Sequence, residues 1–429
     1  MNAILAIPLP LRLAALFALG AFVGGLVNWG AYRLAWHQRW ISPWSAPPEG
    51  AARRRWSDRV PILGWWRLAR EGTFHGRGFW IRPLLVEVAT GALFVLLYML
   101  ETQWNTRLVL QLGAGPPAPD FLSTNLPLVD HLRYVSHVLV ISLMLVASLI
   151  DVDEKTIPDA ITVPGAVAGL VLAAAYPWSL LPCDHWLVGR APAVEFLTLV
   201  SPAPWPADLT PGVSSQGLLV ALACWTLWCG GLLPRYWRTR RGWRTALRLF
   251  WHRLRSEAIS YTIAALWLVG TAAIVVAAGR LSLAHWAGLL TSLVGLAVGG
   301  GLVWVVRVVG TAALRREAMG FGDVTLMSMI GAFVGWQAAL VIFFLAPFAG
   351  LIIGVAQWIA HGEREIPYGP FLCLAALVVI VEWTAVWQRI EPIFSMGWLL
   401  PGVLVVCMAI MGGMLWAYRL LGETFARPR

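Results

Sequence analysis

The sequence predicts an all-α, polytopic helical membrane protein. Three observations carry that expectation. Of its 429 residues, 59% are hydrophobic and 13% charged, with a mean hydropathy of +0.70; a soluble chain is about a quarter charged. Apolar runs of about 20 residues, long enough to cross a bilayer, recur from end to end. The basic residues fall in blocks between those runs. The formal charge of +10 is therefore read as loop anchoring and not as nucleic-acid binding. The 26 Trp suit membrane interfaces and core packing, and no basic helix interleaved with base-stacking aromatics occurs in a soluble segment.

Taken in order, the runs lie at 13–36, 84–101, 135–150, 161–176, 215–233, 259–278, 284–307, 323–337, 338–359, 369–388 and 398–418, about eleven transmembrane helices. Those at 135–150, 161–176 and 323–337 are short; each either extends by a turn or ends half-buried at a site. The first is read as a span and not a cleaved signal, because it runs on too long and lacks a small-x-small site.

Loop 37–83 carries Pro43, Pro47, Pro48 and Pro61 and is expected to be a small ordered unit against the membrane. The Pro-rich stretch 178–214 is expected to be irregular. The Arg- and Trp-rich segment 235–255 is expected to be a basic amphipathic helix on anionic lipid.

Orientation follows from the arginines. With loop 37–83 inside, all but Arg12, Arg107, Arg133, Arg190, Arg280 and Arg389 of the 32 basic residues fall on the cytoplasmic side. The N terminus is then outside and the C terminus inside. The same alternation puts Asp151 and Asp323 together at the cytoplasmic face.

These two carboxylates stand where apolar runs meet polar turns, in SLIDVDEKTIPDAIT and MGFGDVTL. Carboxylates there are expensive unless capped, paired or used. Asp323 follows Gly320-Phe321-Gly322, where glycines permit a tight turn and close approach of a substrate strand. By itself Asp323 also reads as a helix N-cap. Asp151 ends a helix, where the dipole disfavours a carboxylate, and that suits the proton-holding member of a pair. Two adjacent carboxylates share a proton: one donates while the other takes a proton from water. Asp153 is the rival to Asp151. Asp159, after Pro158, is expected to cap a helix starting at Ile161. Asp153 and Glu154, with Gly320 and Gly322, are candidates for substrate contact.

No other constellation competes. HExxH and a nucleophile elbow are absent, and the eight His are scattered. Cys183, Cys224, Cys229, Cys373 and Cys407 form no CxxC pair, so neither a disulfide framework nor a zinc ribbon is indicated. The trio Cys183-Asp184-His185 reads as ordinary loop.

At this point the chain resembles the type IV prepilin peptidases, GxGD-type intramembrane aspartyl proteases. LIDVDEKTIPDAITVPG resembles their first aspartate motif and GFGDVTLMSMIGAFVGWQ their second. IPYGPFLCLAAL is similar to a third motif, and GAFVGGLVNWGAYRL and RVPILGWWRLAREGTFHGRGFWIRPLLVEVATGALF resemble their N-terminal part. The resemblance implies removal of a short basic leader from prepilin-like or pseudopilin substrates at the cytoplasmic face of the inner membrane. Asp151 and Asp323 would be the catalytic pair, and Gly320 and Gly322 the glycines of GxGD. Proteolysis would need no cofactor; S-adenosylmethionine enters only if the N-methylation of many relatives is retained, and no nucleotide-type Gly-rich loop is visible.

It also divides the chain into an N-terminal region 1–101, a peptidase core over 133–176 and 284–388, an insertion 178–283, and an added helix and tail 398–429. Three features depart from the pattern. The first loop lacks the two CxxC pairs of many relatives, so it must be held by packing and no zinc is expected. Thr325 replaces a basic residue. The insertion and the last span are additions of no assigned role. A non-catalytic membrane assembly component of the same fold is the alternative reading.

Overall fold

The computed structural model describes residues 6–51, 53–104, 120–185, 193–202, 215–233, 255–361 and 367–425, together with Arg244, Arg248 and His252. Most of the basic segment 235–255 and much of the 178–214 stretch lie outside the described residues.

Long helices make up nearly all of the fold. They are α1 (Leu9–Arg33), α2 (Ile81–Tyr98), α3 (Asp120–Glu154), α4 (Asp159–Ala175), α5 (Ser215–Leu232), α6 (Ala258–Arg280), α7 (Leu283–Leu314), α8 (Phe321–His361), α9 (Gly369–Val381), α10 (Trp383–Phe394) and α11 (Leu399–Phe425). Among the described residues seven helices are long and apolar enough to cross a membrane, or up to eight if α9 and α10 count as one bent span. The difference from about eleven has identifiable causes. α4 and the apolar part of α5 are short, α8 unites two expected spans, and the expected 369–388 span is not straight: α9 and α10 meet at 94°.

The core is a bundle of α3, α4, α7, α8 and α9, which share the main apolar cluster. α7 and α8 approach backbone to backbone at Gly295 and Gly331, where a side chain on either would strike the other helix; small residues permit such contacts inside a bilayer. α1 and α2 pair with one another and lean on α3, α5 and α6 pair with each other beside α7, and α11 packs on α7.

α8 is broken at Gly335, whose φ of 82° and ψ of 170° only glycine adopts readily. At this break Trp336 Nε1 donates to Leu199 O (2.9 Å) and Gln337 Nε2 to Thr198 O (2.8 Å). The same end of the bundle carries a two-stranded antiparallel ladder, β1 (Pro182–His185) on β2 (Ala193–Phe196). This part of 178–214 is thus ordered, contrary to expectation. Cys183 is fully buried in β1, and Trp383 Nε1 of α10 donates to Pro182 O (2.6 Å). Stacking of Trp383 on Trp387 and of Trp387 on Phe394 fixes α10 across this end.

The first loop is a compact unit at the opposite end. Asp58, fully buried, pairs with Arg70 (2.6 Å) and Arg67 (3.0 Å). Arg54 makes a two-pronged contact with Glu71 at 2.9 and 3.2 Å. Burial works to raise the Asp58 carboxyl; the Arg55 N–H and the two guanidiniums outweigh it and hold it below the usual carboxylate range. Ile62 stands at φ 66° and ψ −58°, a γ-turn closed by Leu63 N–H on Pro61 O. Its own N–H donates to buried Glu87 of α2, which also accepts from Trp65 Nε1 (2.9 Å). The unit is therefore anchored to α2 as well as closed on itself.

Candidate active site

Asp151 lies in the last turn of α3 and Asp323 in the first turn of α8; they are 5% and 8% exposed. Three turns meet around them. α3 ends beyond Glu154, and Lys155, at φ 55°, reverses the chain while its N–H returns to Asp151 O (2.8 Å). The chain then runs through Ile157 to Pro158. The second turn is Gly320–Gly322 before α8. The third is Tyr368–Gly369 before α9, whose Gly369 N–H donates to Asp151 Oδ2 (3.0 Å).

Ile157 is the wedge between the turns. A Cβ on Gly322 would sit 2.8 Å from Ile157 Cβ. One on Gly369 would sit 2.6 Å from Asp151 Oδ2 and 2.9 Å from Ile157 Cδ1. Glycine at both places is what lets α8 and α9 close on the α3–α4 turn. Gly320 lies against the Asp323 carboxylate, and Asp151 and Asp323 lie within electrostatic reach of each other and of Cys373. Two apolar helix ends thus bring two carboxylates into one buried notch, each beside a glycine.

The remaining candidates are spread around this notch. Asp153 points away, paired with Arg82 at 2.6 Å. Glu154 accepts the backbone N–H groups of Trp36 (2.6 Å) and His37 (2.7 Å). Both acids thereby tie the first loop and α2 to the end of α3. Asp159 does not cap a helix at Ile161: α4 already begins at Asp159, with Pro158 in the cap position and no side-chain cap bond. Extended Pro158 offers its carbonyl to Ile161 N–H, and the Asp159 carboxylate lies beside Thr325 of α8. Thr325 also donates to Gly322 O (3.1 Å), so the residue at the expected basic position braces the glycine turn. Gly369 escaped the residue-level reading, although the Gly-Pro at the start of α9 was its signal: a turn glycine directly before a helix-starting proline.

Among the described residues no group of three or more His, Cys, Asp or Glu side chains could hold a metal ion. A cavity of about 1140 Å³ adjoins the site, lined by α5, α7, α11 and the first turns of α8, including Phe321 and Thr325. S-adenosylmethionine needs partners for its sulfonium, carboxylate and ribose hydroxyls. Among the described residues that line the cavity there is no carboxylate, imidazole or guanidinium, so these residues supply no charged partner for such a group.

Comparison with known proteins agrees with the motifs. The model of the "Type IV leader peptidase family" matches residues 138–229 and 259–355, and that of the "Bacterial Peptidase A24 N-terminal domain" matches 18–100. The chain is 28% identical over 235 residues to a prepilin leader peptidase/N-methyltransferase of Stutzerimonas stutzeri, covering 50% of this chain and 75% of that protein. It is 35% identical over 77 residues to one of Legionella pneumophila (16% and 27%) and 29% over 110 residues to one of Aeromonas hydrophila (22% and 38%). No solved structure matches. With the two models together reaching from residue 18 to residue 355 and taking in both buried aspartates, this chain belongs to the type IV leader peptidase family.

Proposed function

We propose that the chain is a membrane aspartyl endopeptidase that removes the short basic leader of prepilin-like or pseudopilin substrates at the cytoplasmic face. One observation carries the reading: the notch that holds Asp151 and Asp323 together, both buried and, among the described residues, neither paired with a basic side chain. Two carboxylates in that setting share one proton. The ionised one takes a proton from water as the oxygen attacks the scissile carbonyl, and the protonated one donates to the carbonyl oxygen. Collapse of the tetrahedral species returns a proton to the leaving nitrogen. The Gly369 N–H orients the Asp151 carboxylate, and the open side of Gly320, where the nearest atom to an added Cβ is Asp323 Oδ2 at 3.6 Å, leaves room for an extended strand.

Glu154, held by the Trp36–His37 backbone, keeps negative charge near the notch where a basic leader would pass, and Asp153 would meet the leader only in exchange for Arg82. The relatives' names include N-methyltransferase, but no step is assigned here to S-adenosylmethionine.

The test is co-expression with prepilin-like substrates and detection of leader removal. Asp151→Asn and Asp323→Asn, each inserted and folded, are expected to lose cleavage by at least about 10²–10⁴-fold, the contribution of a positioned acid–base group. Asp153→Asn is expected to weaken substrate binding more than turnover. Full activity in Asp323→Asn overturns the mechanism; full activity in Asp151→Asn with loss in Asp153→Asn moves the first catalytic group by two residues.

A further inference from the structure

The first loop presents a surface that the proposed chemistry does not use. Trp36, Trp40, Trp44, Trp56 and Trp66 are all exposed, Trp36 at 86%. Arginines stack on three of them. The Arg33 guanidinium lies 3.4 Å from the centre of the Trp40 ring, and Arg59 lies 5.8 and 5.5 Å from those of Trp44 and Trp56. Between residues 36 and 80 the exposed charges include Arg39, Arg53, Arg55, Arg59 and Arg77 against one exposed acid, Glu49. The other two acids, Asp58 and Glu71, are buried in ion pairs. A face rich in indoles and guanidiniums and poor in carboxylates is complementary to an anionic surface with an apolar layer beneath it.

Its position fits the same partner. Arg33 is the last residue of the apolar α1, and the loop closes at Ile81, where the apolar α2 begins. The face therefore starts where two membrane-spanning helices emerge, at the depth where indoles settle among headgroups. We propose that the Trp40, Trp44 and Trp56 face of this loop, with Arg33 and Arg59, docks into the anionic headgroup layer of the membrane that the helices cross. The buried Asp58 and Glu71 pairs make the loop one rigid body, so that several indoles insert together. The docked loop also holds the Asp151 turn, because Trp36 and His37 N–H groups grip Glu154, three residues beyond Asp151.

The experiment is hydrogen exchange on the full chain in nanodiscs of phosphatidylcholine alone or of phosphatidylcholine with phosphatidylglycerol. Peptides over residues 36–60 are expected to be more protected in the anionic discs. The Arg33→Gln/Arg59→Gln pair is expected to lose up to about thirtyfold of that protection, two headgroup-facing charges' worth. Arg33→Lys/Arg59→Lys should keep most of it, and unchanged protection in α2 certifies folding in each variant. Equal protection in both lipids overturns the proposal, and is the result expected of a face that binds an acidic protein instead. Undiminished protection in the Gln pair, or a loss in the Lys pair as large as in the Gln pair, overturns it as well.

Discussion

Around Asp151 the structure depends on atoms that are not there. Gly369 carries no Cβ, and the space a Cβ would fill is taken by the Asp151 carboxylate and Ile157. Gly369→Ala should therefore displace the carboxylate while leaving every ionisable group in place. A shift of about 1 Å at a catalytic group costs on the order of 10²-fold. We expect a loss of that order in kcat with little change in KM, measured on a purified substrate in detergent. Unchanged kcat would show that the close contact does not set the position of Asp151. Thr325 illustrates the opposite case, a side chain that adds a brace: its hydroxyl donates to Gly322 O in the turn before Asp323, beside Asp159 at the start of α4.

At the scale of elements, two local devices decide the architecture. The first is the break at Gly335. Any other residue there adopts a backbone conformation costing roughly 1–3 kcal/mol, so Gly335→Ala should lower the thermal stability of the purified protein; an unchanged melting temperature would mean that the break relaxes freely. The second is the Asp58 cluster in the first loop. Breaking a buried pair costs roughly 3–5 kcal/mol. Both arginines are 38% exposed on their side chains, which places Asp58→Asn at the low end of that range. The same group makes the loop acid-sensitive. Its folded carboxyl lies below the ordinary range, so its stabilisation is complete above the unfolded value of about 4 and is lost as pH falls through the lower folded value. Limited proteolysis of loop 37–80 should accelerate only below about pH 4 in the parent protein, and Asp58→Asn should abolish that dependence. A parent loop whose cleavage rate is flat down to pH 2 contradicts this account.

For the whole molecule, α5 and α11 pack on α7 and α6 packs on α5, while the notch lies among α3, α8 and α9. These helices and the notch thus occupy different flanks, joined by the cavity that reaches from α5 and α11 to Phe321. The arginine asymmetry sets the expected orientation of this assembly, with loop 37–83 inside and the β1–β2 ladder outside. Alkaline phosphatase fused after residue 195 should be active and a fusion after residue 245 inactive; the reverse pattern inverts the proposed face of cleavage.

Membrane class and the helical fold were legible in the sequence, and so were the candidates Asp151 and Asp323, because each is written locally. Apolar run length reports a span, and an isolated acid at the edge of such a run stands out against it. The ordinary Gly-Phe-Gly before Asp323 and the Asp-rich turn after Asp151 marked the two ends that had to meet. What the linear pattern could not decide was anything that depends on a third element. Beyond the 94° bend between α9 and α10, Trp383 is hydrogen-bonded to β1, and the break in α8 at Gly335 is completed by carbonyls of residues 198 and 199. Asp159 became the first residue of α4 with Pro158 in the cap position, and Gly369 became part of the notch only through packing on Asp151 and Ile157. Hydrophobic periodicity and charge are sums over neighbours in sequence. Hydrogen-bond partners and the room for a missing Cβ are set by neighbours in space, and those the tertiary structure alone supplies.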